Sequence, residues 1–120
     1  MAKINTRRKG NTAEREICKR LSKYFPGKFE RRSMGIKGCD VICSDEQFPY
    51  AVEVKHQISV KAIHLFIGNQ STKKWWSQTV NQAMRVGKQP LLVAKVERYW
   101  FCTTDGVNWN LFDKYLEGKV

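Results

Sequence analysis

Apolar positions recur along the chain in two rhythms, one helical and one of period two. Ile17, Cys18 and Leu21, with Phe25 one turn on, follow helical spacing. Asn11 or Thr12 can cap that segment. Glu14 and Glu16 then fall in its first turn, and Pro26-Gly27 ends it. Residues 28–33 read as a short basic strand, 34–38 as a loop with two glycines, and 40–43 as a strand. Tyr50 to Lys55 is a further strand, so that 38–55 reads as a β-hairpin. A short helix is expected around 60–66, within a stretch of mixed signals. Thr72 to Val86 carries Trp75, Trp76, Val80, Ala83 and Met84 on a helical face and stops at Gly87. Strands over 90–96 and 98–103 and a short helix over 111–116 complete the order. This order predicts an α/β fold with a mixed central β-sheet flanked by α-helices. It fits a single domain over 1–120, with 1–10 as a flexible basic arm.

Charge adds the next constraint. Twenty-two Lys and Arg stand against eleven Asp and Glu, a net charge of +11. An excess of this size calls for a polyanionic partner. Nucleic acid suits it better than a membrane surface, because no long basic amphipathic helix has an extended apolar face. No apolar run approaches a membrane-spanning length, and residues 1–10 lack the apolar core of a secretory signal, which predicts a cytoplasmic protein. Cys18, Cys39, Cys43 and Cys102 form no C-x-x-C pair, and His56 and His64 complete no zinc pattern, so reduced thiols are expected. Cys39 and Cys43 lie four apart across a strand and are expected to point the same way.

Candidate chemistry concentrates in the hairpin. Period two puts Glu53 and Lys55 on one face with Ala51, and Val52 and Val54 on the other. Asp40 starts the preceding strand, and the hairpin would bring it beside Glu53. Two carboxylates and a lysine at one end of a sheet suit phosphodiester hydrolysis. Mg²⁺ is a hard cation that takes carboxylate and carbonyl oxygens, so Asp40 and Glu53, with the Val54 carbonyl, can hold it and acidify a water. Lys55 can orient that water or offset developing negative charge. The plainer alternative is an exposed Glu53–Lys55 ion pair on a strand face. Glu14 shares the stripe of Cys18, Leu21 and Phe25 and should face the sheet, where its charge needs a partner or a metal. Its alternative is a first-turn acid favoured by the helix dipole. Arg7, Arg8, Lys9, Arg31, Arg32 and Lys37 surround these segments and are expected to contact phosphates. In Lys73-Lys74-Trp75-Trp76, charge adjoins aromatic faces that can stack on unpaired bases, with one Trp expected in the core. Gln78 and Gln82 share a helical face, as candidates for contact with the metal water or DNA, with the ordinary polarity of an exposed helix face as the alternative.

Several runs now combine: Arg8-Lys9-Gly10-Asn11-Thr12-Ala13-Glu14-Arg15-Glu16-Ile17, Arg31-Arg32-Ser33, Gly38-Cys39-Asp40-Val41-Ile42 and Val52-Glu53-Val54-Lys55. Together they resemble the Holliday junction resolvases of the PD-(D/E)XK nuclease superfamily. The archaeal type is the nearest pattern, and phage resolvases belong to the same superfamily. The resemblance implies a restriction-endonuclease-like core and metal ligation by Asp40 and Glu53. It also implies catalytic support from Lys55, a metal-site role for Glu14, and Ser33 in a loop near the DNA. Mg²⁺ is the implied cofactor, with Mn²⁺ substituting. The implied activity is nicking of branched DNA, four-way junctions above all, by a homodimer. Ile63, Leu65, Phe66, one Trp of the pair, Tyr99, Trp100 and Phe101 offer apolar interface material. Two features depart from the pattern: Cys39 stands where the superfamily name records proline, and the stretch between Lys55 and Trp75 looks unlike the archaeal type. The rivals are another PD-(D/E)XK nuclease, of nicking, repair or restriction type, and a catalytically silent DNA-binding module. The intact Asp40, Glu53 and Lys55 set argues against the second. The small build fits a phage-encoded protein acting in the host cytoplasm.

Overall fold

The computed structural model describes residues 6–32, 38–57 and 59–119, the side chains of 6–11 excepted. The chain runs α1 (Thr6–Leu21), β1 (Phe29–Arg31), β2 (Val41–Cys43), β3 (Tyr50–His56), α2 (Ala62–Ile67), α3 (Gln70–Val86), β4 (Gln89–Val96), β5 (Tyr99–Thr103), β6 (Asn110–Leu111) and α4 (Phe112–Glu117). β3 and β4 pair in parallel, and β4–β5 and β5–β6 pair antiparallel, giving a mixed four-stranded sheet in the order β3-β4-β5-β6. The parallel step requires a crossover, and α2 and α3 supply it.

Both faces of the sheet are covered. On one, Val52, Val54, Leu91, Val93 and Cys102 pack with Ile17 and Leu21 of α1 and with Phe112 and Leu116 of α4. On the other, Leu92, Ala94 and Val96 pack with Leu65, Trp75 and Trp109. Period two therefore separates Val52 and Val54 from Ala51, Glu53 and Lys55 as expected, but neither face is open to water. Ala51 packs with Cys39 and with Ala83 of α3.

Four sequence expectations are corrected. α1 begins at Thr6, so residues 6–10, expected in a flexible arm, form its first turns; basic residues carry no apolar rhythm from which to read a start. Its helical pattern ends at Leu21, leaving Phe25 on the turn beyond. Residues 38–55 do not form a hairpin ladder, because β2 pairs with β1 (Phe29↔Cys43, Arg31↔Val41) in a separate two-stranded sheet. Cys39 and Cys43 also part company: Cys39 packs under α3, whereas Cys43 joins the core on the α1 side. All four thiols are free.

α3 ends where expected, at Gly87 with φ 66°. It starts at Gln70 because the Asn69 Oδ1 accepts from the Thr72 N–H at 2.9 Å. Trp75 is buried in the core, and Trp76 packs beside it, partly exposed. Of the expected interface residues, Leu65 and Trp100 are instead core, while Ile63, Phe66 and Tyr99 are exposed. Among the described residues no helix is long and apolar enough to cross a membrane.

Candidate active site

β3 is the edge strand of the four-stranded sheet, and the residue lying along its free edge is Asp40. The Asp40 N–H donates to the Val52 carbonyl at 3.2 Å, and its Oδ2 accepts from the Val54 N–H at 2.9 Å. The expected meeting of Asp40 with Glu53 is thus achieved by two hydrogen bonds to the edge rather than by a hairpin ladder. The N–H and C=O of one strand residue point to the same side, so the Val54 carbonyl also faces this edge. Arg32 shapes the approach: its N–H donates to the Asp40 carbonyl at 2.9 Å and its Nε to the Cys39 carbonyl at 2.7 Å. Gly38, at φ +135°, lies under that guanidinium; a Cβ there would stand 2.7 Å from Arg32 Cζ.

Glu53 is only 4% exposed, on the sheet face that α3 covers. It lies close enough to the Asp40 carboxyl for each to shift the other's titration. Burial pushes the Glu53 carboxyl up to about 8, and the Asp40 charge adds to the rise while Lys55 opposes it. Burial likewise raises Asp40, offset by the Val54 N–H, by the neighbouring Glu53 and by the charges of Lys55 and Arg32. The Lys55 Nζ lies 3.4 Å from Glu53 Oε1 and donates to Gln78 Oε1 at 2.8 Å. The exposed ion pair of the plainer reading is therefore excluded, since the Glu53 partner is buried.

Glu14 lies on the third turn of α1, because the helix begins at Thr6 and has no acid in its first turn. That removes the dipole explanation for it. Its carboxyl is raised to about 7, first by burial and next by the charge of Asp40, with Arg31 and Lys55 opposing. Glu14 thus shares the electrostatic field of the pair. Among the described residues no group of three or more His, Cys, Asp or Glu could hold one metal ion, so Glu14 does not close a three-carboxylate cage with Asp40 and Glu53.

The structure gathers Glu14, Asp40, Glu53, Lys55 and the edge of Val54 in one place, with Arg31 and Arg32 beside them. Lys73 and Lys74 are exposed on α3. Ser33 and Lys37 lie outside the described residues, as do the side chains of Arg7, Arg8 and Lys9. Gln78, expected at DNA or a metal water, accepts from the Lys55 ammonium. The partnership was missed because helical periodicity identifies its face but not the strand that the face covers.

Two comparisons bear on this arrangement. Residues 5–114 match the family described as "Phage putative PDDEXK endonuclease". Among solved structures, the chain is similar to Hjc of Archaeoglobus fulgidus, a Holliday junction resolvase from an archaeal hyperthermophile. The TM-score is 0.52 at 21% identity, over 80% of this chain and 72% of that one. That likeness shows the fold, a mixed sheet flanked by helices as in PD-(D/E)XK nucleases. No curated protein matches the sequence.

Proposed function

The chain belongs to the phage PD-(D/E)XK endonuclease family, and from that premise we propose that it is a metal-dependent DNA endonuclease nicking branched DNA, four-way junctions in particular. The observation that carries the reading is the arrangement of Asp40, fastened to the strand edge at Val54, beside the buried Glu53 carboxyl and a lysine held by Glu53 and Gln78. Nuclease families of this kind are generally metal-dependent. The donor set fits a hard divalent cation: two carboxylates whose repulsion a dication would relieve, and the Val54 carbonyl on the same edge. Asp40, Glu53 and the Val54 carbonyl would hold Mg²⁺, with Mn²⁺ substituting, and Glu14 would add negative field beside them. When bound, the ion acidifies a water and clamps the phosphoryl oxygens.

The protein's own groups do the rest. Gln78 and Glu53 together fix the Lys55 ammonium, which offsets charge developing on the phosphate or orients the attacking water. Arg31 and Arg32 flank the acids and are placed to hold neighbouring phosphates. The net charge of +11 favours DNA throughout, and affinity should fall steeply with salt. Resolving a four-way junction takes two nicks, and a C₂ homodimer supplies two sites in matching symmetry.

The experiment is a nicking assay with Mg²⁺ on four-way, flapped, linear duplex and single-stranded DNA. Paired nicks near a junction support the full reading. Equal cutting of linear duplex would replace it with a nicking, repair or restriction-type nuclease. Junction binding with no cutting of any substrate would leave a DNA-binding module of the same fold.

A further inference from the structure

α3 separates two surfaces. On one flank Gln78 reaches Lys55. On the other, Lys73, Trp76 and Ser77 wall a cleft of about 390 Å³, closed opposite by the end of α2 and by Gly106-Val107. Gly106 fixes the Trp76 indole: a Cβ there would stand 2.6 Å from its Cδ1 and Nε1, and the residue's φ is +81°. Phe66, Ile67 and Val107 line the same cleft, yet are 63%, 72% and 73% exposed. One exposed apolar side chain is ordinary; three around a single cleft with an indole wall mark a binding surface.

Charge selects the occupant. Among the described residues lining the cleft Lys73 alone is charged, and the neighbouring Asp105 carboxylate is taken up by the N–H groups of Val107 and Asn108. The complementary ligand presents a flat apolar face together with negative charge, as an unstacked base with its phosphate does.

We propose that this cleft receives an unpaired nucleotide of branched DNA, its base against Trp76 and Phe66 and its phosphate at Lys73. The proposal rests on the endonuclease reading and gives a physical source for preferring branched over continuous duplex. A helix with its side chains is about 10–12 Å across, so a strand leaving the Lys55 side and crossing α3 reaches the cleft within a few nucleotides. Continuous duplex keeps its bases stacked and offers the cleft nothing.

The test measures affinity by fluorescence anisotropy, in chelator, for a blunt duplex and for the same duplex carrying a single-stranded branch. The readout is the ratio of branched to blunt affinity. Trp76→Leu is expected to lower that ratio about tenfold, within the range for loss of one aromatic–base stack. Trp76→Phe, which keeps a ring, should restore most of it. Lys73→Gln, on the exposed face where folding is not at stake, should also lower the ratio. A ratio unmoved in both Trp76→Leu and Lys73→Gln overturns the proposal. Equal losses on both DNAs overturn it too, since Lys73 would then be an ordinary phosphate contact. Dissociation of a dimer by Trp76→Leu, with the ratio intact, would make the cleft a protein contact and overturn it likewise. If the wild-type chain binds neither DNA, the endonuclease reading falls with it; an unmoved ratio with cleavage preserved removes the cleft alone.

Discussion

Asp105 and the Asp40–Glu53 pair are both acids fastened by backbone amides, and they sit in opposite electrostatic states. Asp105 is exposed. Its Oδ1 accepts from the N–H groups of Val107 and Asn108 at 2.8 and 2.7 Å and from the Thr103 hydroxyl at 3.1 Å, while Oδ2 takes the Asn108 side-chain amide at 2.7 Å. These donors hold its carboxyl well below the usual range. The Asp40–Glu53 pair has one backbone donor, at Val54, and burial raises both carboxyls, that of Glu53 to about 8. The comparison shows that hydrogen bonding to backbone does not by itself mark a functional acid. Asp105 has all the donors it needs and spends them closing a loop. The pair is short of positive charge, which is the state expected of groups shaped for a cation.

The largest expected effect breaks the comparison at the pair. Asp40→Asn, Glu53→Gln and Lys55→Ala should each lower single-turnover nicking by about 10²–10³-fold or more, while junction binding persists. Asp105→Asn should leave nicking near the wild-type rate. Full activity in any of the first three would remove that residue from the site.

Glu14→Gln comes next, with nicking down roughly tenfold or more. Its melting temperature should be unchanged or slightly raised, because a desolvated carboxylate has been neutralised. A lowered melting temperature with normal nicking would make Glu14 a structural acid like Asp105.

Gln78→Ala should slow nicking by about tenfold, as expected for a residue that orients a catalytic side chain. The loss should appear in kcat rather than in DNA affinity. A change confined to affinity would return Gln78 to the DNA surface.

The smallest effects are opposite slopes of stability with pH. Folded Glu53 keeps its proton up to about pH 8, and unfolding returns it to its ordinary 4.5. Glu14 behaves alike, up to about 7. Between these limits the folded state binds more protons, so the metal-free protein should lose stability as pH rises through the window and level off above it. Asp105 has the reverse sign: its contribution is present above its ordinary value of 3.8 and is lost as pH falls. Urea denaturation across pH should show Glu53→Gln flattening the upper limb and Asp105→Asn the acid limb. A single slope shared by all variants would deny the contrast.

How much of this was legible in the sequence follows the distance over which each contact is made. The faces of Glu53, Lys55 and Val54 depend on strand period alone and were readable, as was the stop of α3 at Gly87. Asp40 was placed beside Glu53 correctly but by the wrong route, since strand pairing is set by distant residues and β2 had a better partner in β1. The Lys55–Gln78 bond joins residues 23 apart on different elements, and no local pattern encodes it. β6, of two residues, is too short for any periodicity to register.

The proposal that Asp40 and Glu53, their carboxyls raised by burial, hold a divalent cation meets its sharpest test in titrating the metal-free protein with Mn²⁺ at pH 7 and measuring proton release by calorimetry in buffers of different ionisation enthalpy. The account predicts saturable binding accompanied by proton release in the wild type, with binding sharply weakened and the release lost in Asp40→Asn and Glu53→Gln. Binding of equal strength in these variants, or binding to the wild type that releases no proton, would contradict it.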